Sequence, residues 1–231
     1  MRRGETNWRT LVVGGHTRSI GKTSLVVDLI RAFPEARWTA VKITQYGHGV
    51  CARNGENCGC EPDDHSAALD WETNSASGTD TSRFLAAGAT RAIWLRTKQG
   101  RLAEGLPLLR SALAEIPSGE ASAPGDLILE SNSLLQFLKP ALYLVVLDPA
   151  EADFKDSARL YLDRADAFVL RGARGESPDA QAARTPGQWV GVSLQTVMSK
   201  PHFLQPIGGA LPGQLRQFVA ERFFAAEAAS L

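Results

Sequence analysis

Two short stretches of this 231-residue chain bring reactive residue types close together. The first runs Leu11-Val12-Val13-Gly14-Gly15-His16-Thr17-Arg18-Ser19-Ile20-Gly21-Lys22-Thr23-Ser24-Leu25. An apolar run enters two glycines, and Gly21-Lys22-Thr23 then opens a segment of helical spacing. A phosphate-binding loop needs that order. Glycine lets backbone N–H groups approach phosphate oxygens with no Cβ between them. A helix beginning at Lys22 turns its N-terminal N–H groups and positive dipole end toward the anion. Lys22 would carry charge to the β- and γ-phosphates, and Thr23 would offer its hydroxyl to Mg²⁺. The candidate nucleotide contacts are Gly15, His16, Thr17, Arg18, Ser19, Ile20, Gly21, Lys22, Thr23 and Ser24. Counted from Gly15, the spacing is Gly-x₅-Gly-Lys-Thr. The common loop is one residue shorter, with glycine where His16 stands. His16 itself reads as a solvated loop residue.

The second stretch is Tyr46-Gly-His-Gly-Val-Cys-Ala-Arg-Asn-Gly-Glu-Asn-Cys-Gly-Cys-Glu-Pro-Asp-Asp-His65. It holds all three cysteines of the chain, Cys51, Cys58 and Cys60, together with His48 and His65. Tetrahedral Zn²⁺ takes three thiolates and one imidazole, so the three cysteines with His48 or His65 form a candidate zinc set. An iron–sulfur cluster usually needs four cysteines. Free thiols, or a reversible Cys51/Cys58 disulfide, are the alternatives. Bound metal would organise a segment too polar to build its own core.

Carboxylates complete the candidate chemistry. Asp80 and Glu130 are expected near the metal, Glu130 because it ends an apolar strand. In open α/β sheets, ligands bind at the carboxyl ends of the strands. With Lys22 they form the candidate catalytic set, and Thr23 and Glu130 the Mg²⁺ set. Glu130 could instead be an acid at a helix N-terminus, and Asp80 an N-cap for a helix over Thr81–Ala87. Asp148 also ends a strand, but Pro149 follows, so a turn cap is an equal reading. His202 receives no role.

Elements that could position these groups follow from pattern. Strands are expected at Thr10–Val13, Trp38–Lys42, Arg91–Leu95, Leu127–Glu130, Leu142–Leu147, Ala167–Leu170 and Trp189–Val192. Most are continuously apolar, as in a parallel sheet buried on both faces. Helices are expected at Lys22–Phe33, Thr81–Ala87, Leu102–Ile116, Asp153–Arg164 and Gly213–Ala228. Residues 117–125 and 171–187 read as loops. The alternation implies α/β architecture with a mostly parallel, doubly wound sheet. A single domain over residues 1–231 is expected, with an insertion at residues 44–80. Trp38, Trp94 and Trp189 read as core.

Lys plus Arg equals Asp plus Glu at 25 each. No surplus of positive charge favours nucleic acid. No apolar run approaches the roughly 20 residues of a membrane span, and the polar N-terminus lacks a signal-peptide stretch. A cytoplasmic protein with no nucleic-acid or membrane partner is expected.

The longer loop resembles that of dethiobiotin synthetase and related amidotransferase-type enzymes. Further blocks follow in a familiar order: Ala40-Val-Lys-Ile43, Gly78-Thr-Asp-Thr-Ser through Ala87-Gly88-Ala89, and Asp126-Leu-Ile-Leu-Glu130. Over residues 10–150 the chain resembles the MobB-type nucleotide-binding proteins of molybdopterin guanine dinucleotide synthesis, a dimeric class of P-loop NTPase. Lys42, Asp80, Gly88-Ala89 and Glu130 match that pattern. Ile43 replaces its histidine, Ser131-Asn132 replaces its Gly-Phe, and the cysteine-rich insertion is additional. The resemblance implies a homodimer. It also implies a Mg²⁺-dependent NTPase or small-molecule kinase of cofactor synthesis, acting on an unnamed small molecule or a cofactor-synthesis protein. A nucleotide-gated metal-binding adaptor is the alternative. In some relatives a basic residue at the position of Arg18 reaches phosphate across the dimer, whereas a solvated arginine is the plainer reading. Arg171-Gly-Ala-Arg stands where Asn-Lys-x-Asp would read guanine, which favours ATP over GTP.

Overall fold

Leu11, Val12 and Val13 carry no exposed surface, as a strand covered on both faces requires. They lie in β1 (Thr10–Gly15), one of eight strands in a mostly parallel arrangement. The computed structural model describes residues 8–46, 66–116, 125–172, 189, 191–192 and 194–225. The chain divides into two compact units, residues 1–10 with 33–129, and residues 11–32 with 130–231.

In the first unit the strand order is β3-β4-β2-β5, with β2 at Thr39–Tyr46, β3 at Ala67–Glu72, β4 at Arg91–Lys98 and β5 at Leu127–Glu130. Strand β2 runs parallel to β4, Lys42 opposite Trp94. Strand β3 runs antiparallel on the other side of β4, Asp70 opposite Trp94. No strand is legible in residues 44–80, because Ala67-Ala-Leu-Asp-Trp-Glu72 is short and half-polar. Its pairing partner on β4 makes it a strand. Helices α2 (Asp80–Ala86) and α3 (Leu102–Ala114) pack on these strands.

Glu72 ends β3 and organises the next turn. Its carboxylate accepts hydrogen bonds from the Asn74 N–H (3.0 Å) and the hydroxyls of Ser77 (3.0 Å), Thr79 (2.7 Å) and Thr81 (3.1 Å). Partial burial pushes this carboxyl up, but the four donors outweigh burial and hold it at about 2. Thr79 also accepts the Ser82 N–H at 3.0 Å and is thereby the N-cap of α2. Asp80 is consequently the first helical residue and not the cap, which corrects one of its two sequence readings. Arg9 and Asp126 form a two-point ion pair at 2.9 and 2.6 Å, and the Leu127 N–H donates to the Arg9 carbonyl.

In the second unit the order is β1-β6-β7-β8, each strand parallel to its neighbour. Strand β6 is Leu142–Leu147, β7 is Ala167–Gly172 and β8 is His202–Pro206. Helix α1 spans Lys22–Ala32 and buries Leu25, Val26, Leu29 and Ile30. It ends before Pro34, whose ring fixes the start of a short 3-10 turn. Shorter helices follow: α4 at Asp156–Arg159, α5 at Leu194–Met198 and α6 at Gly213–Val219, the last continuing as a π-helical turn to Phe224.

Two expectations fail here. The helix over Asp153–Arg164 shrinks to α4 and a 3-10 turn at Leu162–Arg164. Lys155 is held extended, with its N–H on the His16 carbonyl at 2.8 Å, so helix cannot begin before Asp156. The strand expected at Trp189–Val192 is absent among the described residues of that stretch. Trp189 is buried, as expected, but through its side chain. Among the described residues no helix is long and apolar enough to cross a membrane.

Candidate phosphate-binding site

The loop between β1 and α1 is built on close approach. A Cβ at Gly14 would lie 2.4 Å from Asn132 Oδ1 and 2.5 Å from the Tyr143 hydroxyl. A Cβ at Gly15 would lie 2.7 Å from Ile20 Cγ2 and 2.9 Å from Lys22 Cγ. The chain therefore curls so that the stems of Ile20 and Lys22 lie against the strand end. Asn132 ties the curl down. Its Oδ1 accepts the Gly15 N–H at 2.9 Å and its Nδ2 donates to the Gly15 carbonyl at 2.8 Å.

Beyond Gly15 the loop rises to the surface at Arg18 and Ser19 and returns at buried Ile20. Arg18 is exposed, which both of its sequence readings allow. Ser19 has φ +53° and Gly21 φ +95°. Left-handed residues in a turn help direct successive peptide N–H groups toward one concave side, a geometry that holds anions. The Lys22 ammonium donates back to the Thr17 carbonyl at 2.8 Å. Thr23, in the first turn of α1, donates its hydroxyl to the Glu130 carboxylate at 2.7 Å, and both groups are buried. Ser24 beside it is half-buried. Glu130 thus lies at the end of β5 and against the start of α1.

His16 is not a solvated residue. It has no exposed surface. Its ring packs 5.1 Å from that of Phe154 and 5.3 Å from that of Trp189. Its Nε2 accepts the Asp148 N–H at 3.1 Å, which places the ring proton of the neutral form on Nδ1. Burial lowers its basicity, against opposing contributions from the Asp153 backbone, Asp148 and Glu151. The segment after β6 is strapped to the loop at further points. The Thr17 hydroxyl donates to Asp153 and the Lys155 N–H donates to the His16 carbonyl. The segment is itself braced by Trp189 Nε1 donating to the Glu151 carbonyl at 2.8 Å and by Asp148 accepting the Ala150 N–H at 2.9 Å in a turn. A histidine in the extra loop position is therefore a structural plug: its side chain faces Phe154 and Trp189, and its backbone N–H bonds to Val146.

Arg171, at the end of β7, is a buried cation beside the loop. It is 5% exposed and donates from Nη2 to the Gly21 carbonyl at 2.7 Å. In the sequence Arg171 stands out only as an absent guanine signature, Asn132 only as a departure from the resembled family, and Asp153 only as an expected helix start. No local pattern marks them, since each meets the loop from more than a hundred residues away.

In the first unit, Lys42 and Asp80 meet as an ion pair at 2.5 Å, with Arg83 at 3.5 Å from the same carboxylate. The resemblance named both of them from separate segments. Cys51, Cys58, Cys60, His48 and His65 lie outside the described residues.

The residues present suit a triphosphate with Mg²⁺. The Thr23 hydroxyl and the Glu130 carboxylate are hard oxygen donors side by side, the ligand type that Mg²⁺ prefers. No family model and no curated protein matches the chain. Among solved structures, HypB from Helicobacter pylori in complex with nickel is similar at 14% identity. That match covers 94% of this chain and 87% of that one, with a TM-score of 0.48. The apo form of LpxK from Aquifex aeolicus in complex with ATP is similar at 15% identity, with 86% and 54% covered and a TM-score of 0.42. A Zn(II)-bound triple mutant of the YjiA GTPase is similar at 13% identity, with 90% and 61% covered and a TM-score of 0.44. The chain thus spans little more than half the length of the latter two. At these identities and scores the likenesses carry no argument, and the reading of the site rests on its own residues.

Proposed function

We propose that this chain binds a nucleoside triphosphate with Mg²⁺ at Gly15–Ser24, as an NTPase or a small-molecule phosphotransferase. The observation that carries the reading is the buried Thr23–Glu130 hydrogen bond at the first turn of α1, directly after a loop with left-handed Ser19 and Gly21. Loop N–H groups and the α1 dipole would hold the β-phosphate. Lys22 would place its ammonium on the β- and γ-oxygens. Thr23 and Glu130 would hold the metal, which supplies charge neutralisation on the phosphates when bound.

ATP is the favoured nucleotide, since Arg171-Gly-Ala-Arg, beginning within the last two residues of β7, stands where Asn-Lys-x-Asp would read guanine. The setting in cofactor synthesis, of molybdopterin type, and the homodimer rest on the resemblance through Lys42, Asp80 and Glu130. A metal-binding adaptor role rests on Cys51, Cys58 and Cys60.

Calorimetry of the full chain with ATP and GTP, with and without Mg²⁺, tests the reading. The expected result is Mg²⁺-dependent binding that weakens about tenfold to a hundredfold in Lys22→Ala, the loss of one charge-assisted contact. Any hydrolysis should vanish in the same variant. Wild-type protein that binds neither nucleotide, or turnover unchanged in Lys22→Ala, would sink the assignment.

A further inference from the structure

Arg171 is buried where a charge is costly to bury. Its guanidinium lies against Gly21: a Cβ there would meet Nη2 at 2.9 Å, Nε at 3.0 Å and Cζ at 3.1 Å. Gly21 is therefore favoured for its φ of +95°, and a Cβ there would press the guanidinium off its place. The Gly21 carbonyl accepts both Arg171 Nη2 at 2.7 Å and the Leu25 N–H of α1 at 3.0 Å.

The surroundings hold the arginine in place without satisfying it. Arg171 on β7 stands opposite Gln205 on β8. Gln205 is fully buried and donates to Asp28 of α1 at 2.7 Å. Asp28 and Asp148 favour the charged guanidinium, although burial lowers its pKa. Among the described residues, Arg171 Nε and Gln205 Oε1 are buried with no hydrogen-bond partner. A buried charge with an unmatched donor contributes little to stability, and apolar replacements of such groups are often neutral or stabilising.

The peptide linking Gly21 to Lys22 gives the arginine another use. A trans peptide is planar, so its C=O and N–H point in opposite directions. Whatever holds the Gly21 carbonyl fixes the direction of the Lys22 N–H. A cation on the carbonyl oxygen also draws electron density through the amide, and hydrogen bonds polarised in this way strengthen one another. We infer that Arg171 is a positioning residue of the phosphate site, which orients and polarises the Gly21–Lys22 peptide so that the Lys22 N–H donates to a phosphate oxygen. This rests on reading Gly15–Ser24 as a triphosphate site. It makes Arg171 a lever on the phosphate end of the ligand and indifferent to the base.

The experiment compares full-length wild type, Arg171→Met and Arg171→Lys, each checked for a cooperative melt. Binding of Mg-ATP and of inorganic tripolyphosphate is measured by calorimetry, and the Lys22 amide proton is followed by NMR without ligand. In Arg171→Met both ligands should weaken by the same factor, about tenfold for one polarised contact, and the Lys22 amide proton should move upfield. Arg171→Lys keeps a cation and should lose less. Tripolyphosphate binding unchanged in folded Arg171→Met, a loss confined to ATP, or an unmoved Lys22 amide would each overturn the inference. If Arg171→Met does not fold, Arg171→Lys decides by the same three readouts. Wild type that binds neither ligand sinks the triphosphate reading itself, whereas wild-type binding with an indifferent Arg171→Met sinks only the role of Arg171.

Discussion

Asn132 satisfies both backbone groups of Gly15, accepting its N–H at 2.9 Å and donating to its carbonyl at 2.8 Å. The side chain thus acts as a short piece of strand for the residue at which β1 gives way to the loop. Asn132→Ala leaves the Gly15 groups unpaired and should destabilise the fold by about 1–3 kcal/mol, read as a shift in the urea midpoint. Asn132→Asp keeps the shape but loses the donor and adds a negative charge beside the loop. It should weaken ATP binding more than Asn132→Ala does, and the reverse order by calorimetry would refute the arrangement.

Gly14 tests the packing behind the same strand. A Cβ there would press on Asn132 and on the Tyr143 hydroxyl, so Gly14→Ala should cost about 1–3 kcal/mol as an overpacked core position. Among the described residues the Tyr143 hydroxyl is buried with no hydrogen-bond partner. Tyr143→Phe alone should be close to neutral, and in the Gly14→Ala background it should restore part of the loss. A double variant no more stable than Gly14→Ala would show that Tyr143 is not the obstacle.

Glu72 predicts an acid-side dependence. Its carboxyl is held at about 2, below its ordinary 4.5. A depressed folded pKa contributes stability that is full above the unfolded value and is lost as pH falls through the folded one. Wild type should therefore exceed Glu72→Gln in melting temperature above pH 4.5, and the gap should close as pH falls toward about 2. A gap independent of pH across that window would mean that the hydroxyl cluster does not read the charge of Glu72.

His16 predicts a dependence nearer neutrality. Burial between Phe154 and Trp189 lowers its pKa below 6.5. The unfolded chain takes up this proton first as pH falls, so the contribution is full above 6.5 and declines below it. Denaturant midpoints of wild type should fall from about pH 7.5 to about pH 5.5, with a shallower fall in His16→Phe, which cannot titrate. His16→Phe should also be less stable at the higher pH, because it leaves the Asp148 N–H without its acceptor. Equal slopes in the two proteins would rule His16 out as the titrating group.

The cysteine cluster is tested by composition. Protein purified without added zinc should carry about one equivalent of metal, lost when Cys51, Cys58 and Cys60 are all replaced by serine. Less than about a third of an equivalent in wild type would count against a site there.

Local sequence determined the loop, the start of α1 at Lys22 and strands such as Leu127–Glu130 and Leu142–Leu147. These are properties of adjacent residues: glycines before Gly-Lys-Thr, and apolar runs with no polar interruption. The pairing of Lys42 with Asp80 was approachable through resemblance alone. Tertiary structure decided what surrounds the loop. His16 reads as solvated until Phe154 and Trp189 close over it. Ala67–Glu72 is a strand only because β4 supplies its partner. Asn132 and Arg171 reach the loop across 117 and 150 residues of chain. The physical reason is range. Propensity and periodicity act over a few residues, whereas burial of a side chain and the second half of a hydrogen bond depend on which distant segment the fold brings alongside.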